Sequence, residues 1–288
     1  MAGRAIRRAA CMMLCVLLCL MAACALGEGL VFGGVRADKE TTYIDFGSNR
    51  VKDIDALMAF LDQLPALKQV DLYASKISPE DMERLYTRYP DVFFGMMVTI
   101  GDHTVRSDIT AFSTLHSTNP DPPHTSADFE NLKYCKNLLA IDIGHNWVTD
   151  LSFLEYFPGL KVLIIAVNRI EDISVLAQLE ELEYLELFSN KVRDYSPLAN
   201  LHKLRDLNVK NNPCKDLTPL HGLTNLERFF GGIYVKIPAE QKKALKKALP
   251  DCHINWDSMP TGGNWRKHDR YFVIRDMFRT NTYIPFED

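Results

Sequence analysis

The residue types that support catalysis or metal binding are scattered along this chain. Its eight histidines include no pair at a metal-ligand spacing such as HExxH, and its seven cysteines form no CxxC pair. The sequence has no GxSxG nucleophile motif and no glycine-rich phosphate loop, and Gly262-Gly263 is more typical of a turn. We therefore expect no catalytic residue, no cofactor and no metal, with the histidines as separate surface or turn residues.

One region keeps an enzymatic interpretation open. The polar, proline-rich segment 113–127 precedes the first regular repeat, and several titratable residues of this region could converge beside its strand. Such a cluster would suit an enzyme, or a regulatory subunit of one, with a bound metal. The residues concerned are His116, Asp121, His124, Asp142 and His145.

The elements that must position any site come from a 22-residue repeat. Its copies open at Leu138, Leu160, Leu182, Leu204 and Leu226 and follow the template LxxLxLxxNx(I/V)xD(L/I)(S/T)xLxxLxx. Apolar residues at positions 1, 4 and 6 alternate with period two, which predicts the inward face of a short strand. Because a single repeat cannot bury its own apolar face, the repeats must stack.

Three polar positions of the template predict the turns between strands and helices. Asn at position 9 suits a strand end, where its amide can bond the turn backbone and link stacked copies into a ladder. Asp at position 13 places carboxylates about 4.8 Å apart in adjacent copies, but we expect turn bonding there rather than Ca²⁺ binding. Ser or Thr at position 15, twice followed by Pro, predicts the start of a short helix or 3₁₀ turn.

This template resembles the leucine-rich repeat family in its 22-residue bacterial, internalin-like form. The resemblance implies an α/β solenoid with a curved parallel sheet on the concave face and short helices or 3₁₀ turns on the convex face. N- and C-terminal caps would close the two ends. Repeat solenoids present long concave surfaces for binding, although a fold alone does not establish a function.

The first 25 residues have the pattern of a secretion signal. Arg4, Arg7 and Arg8 form a positive segment, and a nearly continuous apolar run follows them. The run CMMLCVLLCLMAAC resembles a lipoprotein signal, which implies lipidation of Cys24. Ordinary cleavage after Ala25 and a retained membrane anchor are the alternatives. We therefore predict a secreted protein at the extracellular cell surface, held to the membrane by a lipid anchor.

The rest of the chain divides into four predicted regions. Residues 26–40 are a glycine-rich flexible tether, and residues 41–127 are degenerate repeats. This second region includes a helix that starts at Ser78 and ends at about Arg88, a β-hairpin around Gly101-Asp102, and the 113–127 loop.

Residues 128–235 are the regular repeats, and residues 236–288 are a C-terminal cap. The cap should contain an amphipathic helix (PAEQKKALKKALP), a strand (CHINW) and an aromatic tail folded over the last repeat. This tail resembles those of clostridial-type repeat proteins.

Composition narrows the class of partner. The whole chain has a formal charge of −4, and from Cys24 onward it has 30 basic and 37 acidic residues, a charge of −7. This balance disfavours a nucleic-acid or anionic-membrane surface. Cys135, Cys214 and Cys252 occupy apolar positions and are expected to be core residues, without a disulfide framework.

The candidate binding site lies on the concave face, which we define as the side chains at repeat positions 3, 5 and 7. Aromatic residues interrupt an acidic stripe there, which is typical of a face that binds a protein or peptide. Alternatively, these side chains pack against each other, or the C-terminal cap or the 113–127 loop covers them. A carbohydrate or cell-wall ligand stacked on Trp147, Tyr184 and Phe188 is a further alternative. The predicted site residues are Asp142, Val162, Ile164, Tyr184, Glu186, Phe188, Asn208, Arg228 and Phe230.

Overall fold

The computed structural model describes residues 29–114, 123–256 and 259–287, which form two compact units that divide after Met97. The predicted signal and Cys24 lie outside the described residues. In the part of the chain that is described, no helix combines the length and apolar character that a membrane crossing requires.

The first unit opens with a small antiparallel hairpin, β1 (Leu30–Phe32) and β2 (Val35–Ala37). Gly33 and Gly34 form its turn with φ of +56° and +82°, a conformation that glycine adopts without steric cost. Phe32 packs against the rings of Phe46 and Phe60. The expectation of a flexible tether over residues 26–40 is therefore wrong for residues 30–37, because Phe32 anchors them to the unit's core.

Parallel strands alternate with helices in the rest of this unit, where the sequence predicts degenerate repeats. Three parallel strands are paired in chain order, and a helix follows each of the first two. Ser78 caps the second helix, with its Oγ accepting from the Asp81 N–H at 3.1 Å, and that helix ends at Arg88 as predicted. The elements are β3 (Tyr43–Asp45), α1 (Ile54–Leu61), β4 (Gln69–Asp71), α2 (Pro79–Arg88) and β5 (Phe93–Gly95).

A second hairpin, β6 (Met97–Ile100) and β7 (His103–Arg106), begins at the boundary and turns at Gly101. Beyond it the second unit is built on a seven-stranded parallel sheet with the strands in chain order. From β9 to β13 each residue pairs with the residue 22 positions later, which confirms the α/β repeat solenoid. The strands are β8 (Ala111–Ser113), β9 (Ala140–Asp142), β10 (Val162–Ile164), β11 (Tyr184–Glu186), β12 (Asp206–Asn208), β13 (Arg228–Phe230) and β14 (His253–Asn255).

Short 3₁₀ helices return the chain between these strands, and four of them start at the predicted hydroxyl residue. The preceding aspartate caps each of the four, as when Asp194 Oδ1 accepts from the Ser196 N–H at 2.8 Å. The Ser196 hydrogen bonds lower the pKa of Asp194. The predicted turn-bonding role of this aspartate column is thus confirmed. The helices span Ser126–Tyr134, Ser152–Tyr156, Ser174–Gln178, Ser196–Leu198 and Thr218–Gly222.

The asparagine ladder is also present. Asn190 donates from Nδ2 to the carbonyls of Ile165 and Leu187 at 2.9 and 3.1 Å, and its Oδ1 accepts from the Ile170 N–H at 3.1 Å. Asn168 and Asn212 repeat this pattern one copy away on either side. Each amide therefore satisfies buried backbone groups of two adjacent repeats.

The core contains the predicted leucine columns and three unpaired cysteines, Cys135, Cys214 and Cys252, all buried. Burial raises the pKa of Cys135 and of Cys252 to about 12. These thiols therefore stay protonated at neutral pH and act as small apolar fillers, as expected.

The C-terminal region contains the predicted helix, α3 (Ala239–Ala248), and the predicted strand β14. A 3₁₀ turn (Trp265–Lys267) and α4 (Asp269–Thr280) follow. We call residues 259–287 the C-terminal segment. It reaches the opposite end of the sheet, where the Asn281 carbonyl accepts from the Ala111 N–H at 3.2 Å. The segment therefore covers much more than the last repeat, the position that the sequence predicted for it.

Candidate ligand-binding face

The concave face of the seven-stranded sheet is covered by the C-terminal segment. The expectation that its aromatic and charged residues are exposed is wrong, and the alternative that the C-terminal cap covers them is confirmed, because this segment packs directly on them. The predicted site residues Asp142, Val162, Ile164, Tyr184, Glu186, Phe188, Asn208, Arg228 and Phe230 are all at most 7% exposed. Their role in binding a partner stays a prediction.

Trp265 is the central contact between the segment and the sheet. It is fully buried, and its ring centroid lies 4.8 Å from that of Phe230 and 5.4 Å from that of Tyr184. The guanidinium of Arg228 lies 4.6 Å from the centre of its ring, and its Nε1–H donates to Glu186 Oε1 at 2.7 Å. One indole thus meets aromatic, cationic and carboxylate groups of two strands, β11 and β13, and spans the β12 strand between them.

Helix α4 supplies the apolar side of the same cover. Ile274, Met277 and Phe278 are buried in one cluster with Val162, Tyr184, Phe188 and other concave-face residues. Their spacing of three and four residues places them on one helix face. A cavity of about 50 Å³ remains beside Asp142 and Arg266. Small-molecule sites usually enclose about 300–1,000 Å³, so the covered face has no room for such a ligand.

A buried ion-pair group connects the segment to β12 and β13. Asp206 is fully buried and accepts from Arg228 Nε at 2.6 Å and from Arg270 Nε at 2.7 Å. Arg270 also donates to Glu227 Oε2 at 2.6 Å. Burial alone would raise the pKa of Asp206, but the hydrogen bonds from both arginines outweigh it and lower the pKa.

At two other buried carboxyl groups, the hydrogen bonds and nearby charges do not outweigh the effect of burial on the pKa. Burial raises the pKa of Glu186, although Arg266, Tyr184 and Trp265 oppose the shift. Burial likewise raises the pKa of Asp142 from 3.8 to about 7, against hydrogen bonds from the Gly144 N–H (3.0 Å) and Ser113 Oγ (3.4 Å). The predicted acidic stripe is therefore largely desolvated.

The raised pKa of Asp142 predicts a pH-dependent stability. Because the folded state favours the protonated acid, this residue destabilises the protein increasingly as the pH rises from about 4 to 7. Asp142→Asn, whose amide cannot ionise, should raise the free energy of unfolding at pH 8 by up to about 4 kcal/mol. The gain should shrink as the pH falls toward 4, measured by urea unfolding across this range.

The exposed, turn-capping Asp172 provides the control for this measurement, because Asp172→Asn removes a charge without removing a buried one. It should not reproduce the gain in the free energy of unfolding at pH 8 that Asp142→Asn gives. If Asp142→Asn and the wild type differed in free energy of unfolding by the same amount at pH 4 and pH 8, the raised pKa of Asp142 would be contradicted.

The residues of the enzymatic alternative do not converge among the described residues. Asp142 lies under the C-terminal segment, His145 is exposed with φ of +60°, and His124 is buried elsewhere. His116 and Asp121 lie outside the described residues. The expectation of separate histidines is nevertheless wrong for one pair, since Asp102, His103 and His124 form a cluster.

Burial lowers the pKa of His103 within this cluster, and the neighbouring His124 adds to that effect while Asp102 opposes it. His103 is therefore neutral at physiological pH, and a nitrogen lone pair of its ring is free of a proton.

Trp147 marks an exposed surface at the ends of the first regular strands. The indole is 43% exposed, and the Arg169 guanidinium lies 4.3 Å from its ring centre. Val167 beside it has φ of +56°, which is strained for a β-branched residue. We define the Trp147 surface as Pro123, His145, Trp147, Val167 and Arg169, which line a shallow depression.

Residues 158–200 and 180–220 match the family model described as leucine rich repeats in two copies. These residues contain the observed strands β10 to β12 and the 3₁₀ helices Ser174–Gln178 and Ser196–Leu198. This part of the chain consists of leucine-rich repeats. No curated protein matches it.

Several solved structures resemble this leucine-rich repeat protein in fold. An internalin (inlF) of Listeria monocytogenes is 20% identical with a TM-score of 0.41, covering 80% of this chain and 60% of its own. Internalin C2 of the same organism is 21% identical with a TM-score of 0.37, covering 71% and 70%. A leucine-rich repeat protein of Leptospira interrogans is 18% identical with a TM-score of 0.38, covering 69% and 57%.

This leucine-rich repeat chain thus spans 60% of the length of the inlF internalin. At these identities the similarity concerns the fold alone.

Sequence reasoning missed the residues that close the concave face, above all Trp265 and Arg270. One signal was available: apolar Ile274, Met277 and Phe278 follow helical spacing within the aromatic tail. That pattern predicts an amphipathic helix that needs an apolar surface to cover. It does not say which surface, because nothing in the tail repeats with the 22-residue period.

Proposed function

We propose that this leucine-rich repeat protein is a non-catalytic binding module that recognises a protein or peptide at the cell surface. The observation that carries the proposal is the Trp147 surface, where an exposed indole stacks with an exposed arginine. Tryptophan and arginine are enriched among the residues that dominate the energy of protein interfaces. The secretion pattern of residues 1–25 supports the surface location, which cell fractionation tests.

Val167 gives the same surface a fixed backbone. A β-branched residue with φ of +56° costs free energy that a glycine or asparagine at this position would avoid. The same left-handed φ occurs at the equivalent residue of the other repeats, His145, Ser189, Asn211 and Ile233, so it belongs to the repeat turn. Val167 also packs against the buried cluster under the C-terminal segment, so its backbone is fixed before any partner binds.

The concave face is the rival location for partner binding. Its residues already hold a polypeptide, since Asn208 Nδ2 donates to the Pro260 carbonyl at 2.8 Å and Trp265 fills the aromatic site. An external partner that used this face would have to displace the C-terminal segment. Its binding would then be strengthened by any substitution that loosens the segment.

A pull-down from cell-envelope fractions separates the two locations. The bait is the purified protein, beside a Trp147→Ala, Arg169→Ala double variant and a Trp265→Ala variant. We expect the double variant to lose the partner, with affinity reduced about 10-fold or more for an interface centred on these residues. Tyr156→Ala is the control, because Tyr156 is 51% exposed on a convex 3₁₀ helix.

Other results would overturn parts of the proposal. If the wild type and the double variant recover equal amounts of the partner, the Trp147 surface is not the binding site. If Trp265→Ala recovers more of the partner than the wild type, the concave face is favoured. Retention of purified glycans instead of a protein would favour the carbohydrate alternative. Of the three aromatic residues predicted for that alternative, Trp147 alone is exposed, while Tyr184 and Phe188 are buried.

A further inference from the structure

The turn of the β6–β7 hairpin brings two potential metal ligands next to a third from a different part of the chain. Asp102 and His103 are adjacent at the turn, and His124 precedes the 3₁₀ helix that begins at Ser126. One ligand atom from each of the three residues lies within 4.8 Å of the others. The 21 residues between His103 and His124 explain why no motif in the sequence indicated the cluster.

The distances match those between ligands of a single metal ion. Asp102 Oδ1 lies 3.2 Å from His103 Nε2 and 3.0 Å from His124 Nε2. Zinc bonds to nitrogen and oxygen of about 2.0–2.1 Å, in tetrahedral geometry, separate two ligand atoms by about 3.3 Å.

Among the residues that the structure describes, the two imidazole nitrogens have no hydrogen-bond partner. Both Nε2 atoms are buried, and within the described residues neither has a partner in hydrogen-bonding geometry, despite the short distances to Asp102. Buried polar atoms are almost always hydrogen-bonded or bound to an ion, so two such atoms beside one carboxylate need an explanation. A cation between the three groups would satisfy all of them.

Surrounding contacts hold the ligands in place. The His124 backbone is fixed on both sides, with its N–H donating to Asn146 Oδ1 at 3.1 Å and its carbonyl accepting from the Trp147 N–H at 2.8 Å. Gly101 leaves room for the His124 ring, since a Cβ there would lie 2.6 Å from Cε1. The Gly101 N–H donates to the Asp128 carbonyl at 3.1 Å, which ties the hairpin to the repeat region.

We propose that Asp102, His103 and His124 bind one Zn²⁺ ion. Two imidazoles and a carboxylate are a ligand set that zinc commonly takes, and a water molecule would complete four-coordination. Asp102 is 51% exposed, so that water and the ion reach the site from solvent. The ion would link the hairpin to His124, and through the Trp147 N–H to the edge that carries the Trp147 surface.

Zinc titration of the purified, chelator-treated protein tests the proposal. Calorimetry should show one Zn²⁺ per chain, and Zn²⁺ should raise the melting temperature in proportion to the logarithm of its concentration. Ca²⁺ should not, because it prefers six to eight oxygen ligands. Co²⁺ in place of Zn²⁺ should give the intense visible absorption of a four-coordinate ion.

Two ligand variants and one control locate the ion. Asp102→Asn changes a half-exposed side chain at the hairpin turn, and His124→Gln removes a buried ligand. Each should weaken zinc binding by more than about 10-fold, since even indirect contacts to metal ligands are worth 10- to 100-fold. His202→Gln makes the same chemical change at an exposed histidine elsewhere and should bind zinc like the wild type.

If the protein does not bind one Zn²⁺ per chain at micromolar Zn²⁺, the proposed site is wrong. Unchanged affinity in the folded Asp102→Asn variant would also contradict the site, because it would place the ion at another group such as a cysteine thiol. The Gly101→Ala variant provides a further test, because it keeps all three proposed ligands. It should weaken zinc binding by pushing the His124 ring aside, whereas a cation bound elsewhere would be unaffected.

Discussion

Trp265→Ala is expected to lower the free energy of unfolding of the second unit by about 3–5 kcal/mol, the usual range for truncating a buried tryptophan. The indole is fully buried, so its loss leaves a cavity between Tyr184 and Phe230. It also removes the Nε1–H that donates to Glu186 at 2.7 Å. A buried carboxyl that loses its donor adds a desolvation cost to the cavity cost.

Urea unfolding followed by far-UV circular dichroism measures this loss. Trp147→Ala is the matched control, since it deletes the same side chain where it is 43% exposed and contacts Arg169. Its cost should stay near 1 kcal/mol, the value of an exposed cation–π contact with some lost packing. Similar losses for the two variants would mean that the C-terminal segment contributes little to the stability of the repeats.

The same variant should change what the protein exposes. If Trp265 anchors the segment, its removal allows residues 259–287 to detach, and proteolysis at sites within them should become faster than in the wild type. The repeats themselves keep their leucine core and asparagine ladder, because those contacts lie on the other side of the sheet. Faster cleavage within residues 259–287, with the circular dichroism of the strands retained, would therefore show that the C-terminal segment can detach while the repeats stay folded.

The repeat architecture could be predicted from the sequence because its physics is local and repeated. Leu163, Leu185 and Leu207 occupy the same template position, and their strands pair in the register that the 22-residue period requires. Asparagine and aspartate at fixed positions specify the turns in the same way. Five copies of one pattern give the same information five times.

The cover over the concave face could not be predicted in this way, because its contacts occur once and join distant residues. Arg270 meets Asp206 across 64 residues, and Trp265 meets Glu186 across 79. A charged or aromatic side chain at a concave position looks the same in the sequence whether it meets a partner or its own chain. The histidine pair was missed for the same reason, since hairpin geometry rather than spacing brings His103 to His124.

Asp206→Asn is expected to cost about 3–5 kcal/mol, since it leaves two buried arginines without their shared carboxylate. The Arg228 and Arg270 side chains are each 9% exposed, and both donate to Asp206 within 2.7 Å. An asparagine amide brings no negative charge and directs an N–H₂ group toward guanidinium donors. Arg270 would retain Glu227 and Arg228 would retain the Trp265 carbonyl, so the loss should weaken the segment's attachment without removing it.

The pH dependence of this difference identifies its electrostatic origin. Hydrogen bonds from the arginines lower the folded-state pKa of Asp206 below 3.8, so its stabilisation is present above that pH and is lost as the pH falls through the folded-state value. The wild type and Asp206→Asn should therefore converge in stability in strong acid.

Glu181→Gln is the control for the buried ion pairs. It breaks an exposed pair with Lys203 at 2.6 Å and should cost no more than about 1 kcal/mol. Equal losses for the buried and exposed pairs would contradict the assigned role of Asp206. A large loss for Asp206→Asn alone would show that charges on the concave face hold the chain's own C-terminal segment, which is the use that their burial indicates.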